Sequence, residues 1–377
     1  MFKNILSVDV CLGDRKVGRL AWTPNRRCLF EYDTEWVKSG FSISPFYLPL
    51  KHGVITARAE PFEGLFGIFH DSLPDGWGKL LTDRWLISKG FNPQEFTVID
   101  RLSLVGDSGM GALTYHPAQN TQGEEMNYPV GFYAAESARI LNSDFSGSLD
   151  EMVQKAGSSG GARPKVLLNI DGVGWLIKFR AAVDPADVGK IEYEHSVMAE
   201  RCGIEMPETR LFEGKYFGVR RFDHDGHLRI HVHSAAGLLY ASYRLPSLDY
   251  TELMKATMAL TRDIQEVEKL FRLMIFNVLI GNKDDHAKNF SYRYINNRWQ
   301  LSPAYDLLPS PGFNLHHTTT VNGKGKPVID DCMEVAKVTG FPVKQAGRIV
   351  EEVKAGVNRG SLAAWNDLTP LPFKGRP

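Results

Sequence analysis

The chain has 377 residues, enough for two or three domains or one large two-lobed one, with ample material for a buried core. Lys plus Arg equals Asp plus Glu at 44 each and 43% of the residues are hydrophobic, so the composition excludes a disordered chain and a strongly charged surface for a polyanionic partner. The apolar run around Leu270 to Ile280 is too short to span a bilayer, "MFKNILSVDV" lacks a secretion signal, and Cys11, Cys28, Cys202 and Cys332 form no CxxC pair. These features lead us to expect a cytoplasmic protein with reduced, mostly buried thiols, no membrane contact, no disulfide framework and no zinc site.

In chain order, "ILSVDVCLGDRKVGRLAW" reads as a strand, a Gly-Asp turn and a second strand, and "CLFEY" extends the antiparallel meander. A helix is expected over "SLPDGWGKLLTDRWLISKG", with Leu80, Leu81 and Trp85 at helical spacing and Gly90 at its end. The polar stretch 116–129 is the best linker candidate and marks a domain boundary. Beyond it, "KVLLNIDGVGWLIKF" reads as a β-hairpin around Asp171, Gly172 and Gly174, "IEYEHSVMAERCGI" as a helix ending near Gly203, and "YFGVRRFDHDGHLRIHVH" as strand, turn, strand. From Tyr250 onward the pattern is mainly helical. Val267, Leu270, Phe271, Met274, Ile275 and Val278 share one face of a helix with apolar residues on the other, so it should be buried nearly all round until Gly281 stops it.

That stop opens "GNKDDHAKNF", the densest polar loop of the chain. Adjacent Asp-rich turns are commonly solvated loops. A divalent metal site on Asp284, Asp285 and His286 is disfavoured, because adjacent ligands point apart and no matching His or Glu cluster completes it. A kinase reading uses the spacing: a catalytic loop needs a base Asp and, five positions on, an Asn that holds magnesium, and Asp284 and Asn289 stand five apart. Downstream, "LSPAYDLL" sets Asp306 where a second magnesium ligand belongs, and upstream "WLIKF" sets Lys178 within an apolar strand. Phosphoryl transfer asks mainly for positioning and charge neutralisation, which one Lys, two oxygen ligands for magnesium and one carboxylate base nearly complete. His286 and Lys288 then face the nucleotide or the substrate, with a packed structural role for His286 as the alternative. Glycine-rich "KAGSSGGARPKVLL" precedes the hairpin that carries Lys178, and its backbone N–H groups can approach phosphate oxygens, so Ser159, Gly160, Gly161, Ala162 and Lys165 are candidate ATP contacts. Either Glu192 or Glu194 can pair with Lys178.

The motifs "LPDGWGKLL", "SSGGARPK", "WLIKF", "VRRFD", "SAAGLL", "GNKDDHAKNFS" and "LSPAYDLLPS", in this order, resemble the HipA family of bacterial serine/threonine kinase toxins. The resemblance implies an α+β, two-lobed, protein-kinase-like fold with an extra N-terminal β-rich subdomain (1–120), a small lobe (121–240) and a mainly helical C-terminal lobe (241–377). It implies ATP and Mg2+ as cofactors, Asp284 as base, Asn289 and Asp306 as magnesium ligands, Lys178 as the phosphate contact and Glu192 as its partner. By the same resemblance, residues 220 to 222, with Arg220 and Phe222, occupy the adenine hinge, and Ser158 is the site of autophosphorylation. The implied partners are a small helix-turn-helix antitoxin, operator DNA reached through it, and a protein substrate such as an aminoacyl-tRNA synthetase. A non-catalytic partner of the antitoxin and a small-molecule kinase are the rival expectations.

Overall fold

The computed structural model describes residues 4–119, 128–142, 148–312 and 314–359. The described residues form two compact units, one lying within 4–193, 207–241 and 290–302, the other within 194–206, 242–289 and 303–359.

In the first unit the expected meander is present as Ser7–Leu12, Arg15–Trp22 and Cys28–Tyr32, because alternate residues Val8 and Val10, Gly18 and Leu20, and Phe30 and Tyr32 turn to one buried face. Val54–Thr56 and Leu113–His116 complete a five-stranded antiparallel sheet, with the strand from Ser7 between those from Arg15 and Leu113. The polar stretch expected as a linker begins at the end of that last strand, and its residues 120–127 lie outside the described residues.

A four-stranded antiparallel sheet follows, in the order Lys165–Ile170, Val173–Lys178, Tyr216–Arg220, Thr209–Phe212. The first hairpin closes on Asp171 and Gly172, whose φ of +54° and +79° suit a tight turn. Gly174 is already in the second strand, where its carbonyl accepts from Arg221 N–H. Behind this sheet Trp77, Leu81 and Trp85 of the helix Gly76–Ser88 join Tyr133, Met152, Val166, Trp175 and Ile177 in one core.

"YFGVRRFDHDGHLRIHVH" departs from a simple strand–turn–strand. Its two ends belong to different sheets, and a small hairpin, His224–Asp225 with Leu228–Arg229, lies between them. The second end, His231–Ser234, pairs with Ser291–Ile295, which pairs with Arg298–Leu301. This last hairpin, turning on Asn296 and Asn297 at φ +52° and +59°, interrupts the helical pattern expected after Tyr250 and belongs to the first unit.

The second unit holds the helices Tyr250–Thr261, Ile264–Ile280, Ile329–Thr339 and Val343–Arg359. Ile264–Ile280 buries Val267, Leu270, Phe271, Leu273, Met274, Ile275 and Phe276, as its all-round apolar pattern requires. Gly281 ends it at φ +70°, a left-handed cap that glycine adopts without strain. All four cysteines are free thiols, and among the described residues no helix is long and apolar enough to cross a membrane.

Candidate active site

In the first unit Lys178, at the end of its strand, forms an ion pair with Glu192 on the helix Val188–Arg201, both side chains nearly buried. Glu192, not Glu194, is therefore the partner. Lys165 sits directly opposite Lys178 in the strand register, so both lysines project from the same face of the sheet. The Lys165 ammonium bonds the Gly160 carbonyl, and a Cβ on Gly161, which has φ +83°, would run into it. One carboxylate, Glu192, lies against these two cations, and the face they share is a candidate anion site.

The loop 158–164 rests on the start of the helix Gly76–Ser88. Trp77 N–H donates to the Gly161 carbonyl at 2.9 Å, its indole Nε1–H to the Lys165 carbonyl at 3.0 Å, and the Asp75 carboxylate accepts from Gly161 N–H. A Cβ on Gly76 would lie 2.8 Å from the Ala162 Cα, and one on Gly78 would overlap the Ser159 carbonyl oxygen. "PDGWG" is thus spelled with two glycines because another backbone lies against it. Ser158 and Ser159 are both buried: Ser158 Oγ donates to the Ser108 carbonyl at 2.8 Å, whereas Ser159 Oγ donates locally to Ala156 at 2.7 Å. The loop 106–111 that receives Ser158 is itself clamped. Arg229 donates to the carbonyls of Asp107, Gly109 and Gly111, and Asp223 accepts from Gly111 N–H at 2.8 Å.

Arg220, in the expected hinge, is exposed beside Glu208, whose carbonyl accepts its N–H at 2.8 Å, and Phe222 is half-buried. Between them Arg221 grips Asp223 through two hydrogen bonds of 2.9 and 2.6 Å. Burial pushes the Asp223 carboxyl up, but the Arg221 guanidinium and His224 outweigh it and hold it far below the usual carboxylate range.

In the second unit the neighbours Asp284 and Asp285 part company. Asp284 is exposed. Asp285 is fully buried, accepting from Tyr250 Oη at 3.0 Å, His317 Nδ1 at 2.9 Å and the N–H groups of Thr318 and Thr319 at 3.0 and 3.2 Å. This anchoring takes Asp285 out of any metal role. Asn289 Nδ2 donates to the Asp284 carbonyl at 2.8 Å, which commits the nitrogen of the amide and orients the group. Asp306 stands at φ +59°, uncommon for a residue other than glycine, and Tyr305 Oη ties its segment to the Lys288 carbonyl at 2.7 Å. Lys288 Nζ lies 4.1 Å from the centroid of the Tyr243 ring, which also faces the His286 imidazole at 6.4 Å. The buried His286 Nδ1 has no hydrogen-bond partner among the described residues.

An amide oxygen on Asn289 and a carboxylate on Asp306 are the hard donors that magnesium prefers. Among the described residues no group of three or more His, Cys, Asp and Glu side chains could hold a metal. The set therefore fits an ion that takes its remaining ligands from phosphates and water and does not fit a closed protein cage. Sequence reasoning did not name Asp75, Trp77, Ser108, Asp223 and Arg229 in the first unit, which support the loops around Ser158 and Lys165, nor Tyr243 in the second, which packs against Lys288. "LPDGWGKLL" and "VRRFD" were visible as motifs, but their contacts lie too far along the chain for local patterns to reveal.

A buried lysine–glutamate pair beside a glycine-rich turn, and an exposed aspartate five residues before an asparagine, are kinase-like parts. Residues 8–116 match the HipA N-terminal domain and residues 157–360 the HipA-like C-terminal domain. The chain belongs to the HipA family. Two relatives from Sinorhizobium fredii bear the names "Putative kinase Y4dM", 24% identical over 331 residues (81% of this chain, 77% of the relative), and "Putative kinase Y4mE", 30% identical over 348 residues (81% and 78%). The fold is similar to that of HipA from Shewanella oneidensis MR-1, solved with HipB and its operator DNA. That likeness has a TM-score of 0.69 and 17% identity, and covers 97% of this chain and 92% of that one.

Proposed function

We propose that the chain is an ATP- and magnesium-dependent protein serine/threonine kinase, the toxin half of a toxin–antitoxin pair. The observation that carries this reading is the pair of lysines, Lys165 and Lys178, directly opposite on adjacent strands with Glu192 holding one of them. Adjacent like charges destabilise a sheet, and a polyphosphate offsets that repulsion. In this reading Lys178 contacts ATP phosphate oxygens, kept in place by Glu192. Backbone N–H groups of Ser159, Gly160, Gly161 and Ala162, with Lys165, cover the phosphates, and the hinge at Arg220 and Phe222 receives adenine. Asn289 and Asp306 hold magnesium, which when bound neutralises phosphate charge. Asp284 accepts the proton of the acceptor hydroxyl as that oxygen takes the γ-phosphoryl group and ADP leaves. Lys288 and His286 face the nucleotide, and the unpartnered His286 Nδ1 favours that role over a purely packed one.

Ser158 is the proposed site of self-modification. Its hydroxyl is bonded to a distant loop and Ser159 only to its own turn, so Ser158 leaves more readily when residues 158–164 move. A phosphate there adds about −1.5 to −2 charges and cannot return to a buried site. The HipA structure above was solved with HipB and operator DNA. For this chain a small helix-turn-helix antitoxin is the corresponding proposed partner, with operator DNA reached through it, in the cytoplasm. A translation component such as an aminoacyl-tRNA synthetase is the proposed substrate.

Incubation with labelled ATP, magnesium and a lysate of the source cell tests the reading. Labelled protein is expected, with phosphate on serine or threonine. Asp284→Asn should fold normally and lose about 10²- to 10⁴-fold in rate, the typical contribution of a positioned base. Labelling of small molecules alone, or an undiminished rate in the variant, would overturn the assignment.

A further inference from the structure

The loop that carries Asp284 and the segment that carries Asp306 are joined by a line of buried side chains. Asn282 Nδ2 donates to the Asp306 carbonyl at 3.2 Å and to Asn277 Oδ1 at 3.1 Å. Asn277 Nδ2 donates to the Tyr250 oxygen at 3.0 Å, and the Tyr250 hydroxyl donates to Asp285 Oδ2 at 3.0 Å. None of the four side chains that make the line is more than 2% exposed.

The order of donors matters. Asn282 donates to Asn277, Asn277 to Tyr250 and Tyr250 to the Asp285 carboxylate, so these three bonds polarise one another in the same sense, while the other Asn282 amide hydrogen goes to the Asp306 carbonyl. Burial, reinforced by that carboxylate, keeps the Tyr250 phenol far above its usual pKa, and it therefore remains a donor. At the other end, the amide of Asn282 holds the carbonyl of a residue in the left-handed region. Asn277 follows the buried Leu273, Met274, Ile275 and Phe276 in its helix, where a leucine would cost less to bury. Four polar side chains in such a core make sense as a device that fixes one geometry.

We propose that Asn282, Asn277, Tyr250 and Asp285 are positioning residues that set the backbone at Asp306 relative to the loop of Asp284. The role rests on the kinase reading, in which Asp306 is a magnesium ligand and Asp284 the base. None of the four touches the reacting atoms. They act as supports behind a metal ligand, whose loss typically weakens metal affinity about 10- to 100-fold.

Tyr250→Phe removes a single oxygen and breaks the line in its middle, and Asn282→Ala removes the bond to Asp306 directly. Calorimetric titration of ATP across a range of magnesium concentrations is the first measurement. Both variants should need about tenfold more magnesium for half-maximal ATP binding, with magnesium-free binding unchanged. Amide hydrogen exchange in Tyr250→Phe is the second, and it should speed up at residues 304–308, remote in sequence from the substitution. A merely stabilising core residue would lower the melting temperature and move neither readout. If the parent binds ATP with magnesium while folded Tyr250→Phe keeps the parent's magnesium requirement and exchange at 304–308, the positioning role is wrong and the kinase reading stands. If the parent shows no magnesium-dependent ATP binding, the kinase reading falls and takes this inference with it.

Discussion

Asp284 and Asp285 carry the same side chain one position apart, yet one is exposed and the other fully buried. Sequence spacing singled out Asp284 through its distance to Asn289, but nothing local marks Asp285 as an anchor, because Tyr250 and His317 lie more than 30 residues away on either side. Lys178 was legible for the opposite reason: a lone lysine in an apolar strand stands out against its neighbours. Its register partner Lys165 opened the expected hairpin and was named as an ATP contact, but the register that sets it directly opposite Lys178 was not part of that reading. Replacing it separates repulsion from function. In the nucleotide-free protein Lys165→Met relieves a like-charge contact of roughly 0.2–1 kcal/mol but loses the ammonium's bond to the Gly160 carbonyl, about 1.5–3 kcal/mol, so the variant should be somewhat less stable. The same change should weaken ATP binding about tenfold or more, by the loss of a charge-assisted contact of at least about 1.4 kcal/mol. Thermal unfolding with and without magnesium–ATP reads both effects, and a variant whose ATP-induced shift equals that of the parent would remove Lys165 from the phosphate site.

Among the elements, the helix Gly76–Ser88 was readable from its periodicity and its terminal Gly90, but its task was not. Its first turn is the bed of the loop 158–164, held by Trp77 and Asp75. Gly78 decides whether that bed exists. Alanine in a helix is favoured over glycine by about 1 kcal/mol, whereas forcing a methyl group against packed backbone costs typically 1–3 kcal/mol. Gly78→Ala should therefore be destabilised by about 1 kcal/mol on balance. Its loop should lift, giving faster amide exchange at 157–165 and earlier phosphorylation of Ser158 than in the parent. Unchanged exchange would show that the loop does not depend on this contact. The hairpin Ser291–Leu301 escaped sequence reading because its turn is Asn-Asn, without the glycine that usually announces one, and because apolar runs of such length also suit a helix.

At the scale of the whole molecule, membership of the HipA family was legible from seven ordered motifs, whereas the buried polar groups that set its response to acid were not. His231 is one of them. Its Nε2–H donates to the Ile43 carbonyl at 2.9 Å, and its buried Nδ1 has no hydrogen-bond partner among the described residues. Burial pushes its pKa down from 6.5 to about 4. Between those values the unfolded chain carries a proton that the folded chain refuses, so this group's effect on stability is flat above the upper value and turns unfavourable as pH falls through the window. Stability should drop by about 2 kcal/mol from this residue between pH 7 and pH 5. Urea unfolding at the two values measures it, and His231→Gln, which keeps a donor for Ile43, should flatten that part of the slope. An equal slope in the variant would assign the acid response elsewhere. The division into units has a further consequence, for the order of events during synthesis. The chain passes from one unit to the other at 193, 206, 241, 289 and 302, and the strand His231–Ser234 finds its neighbour only in Ser291–Ile295. Until the ribosome has made residue 295 that strand has no β-partner, and its unpaired backbone is a template for mispairing. The first unit is therefore completed only after residues 194–206 and 242–289 of the second have been translated, and a nascent chain released before then lacks both the last hairpin of the first unit and Asp306.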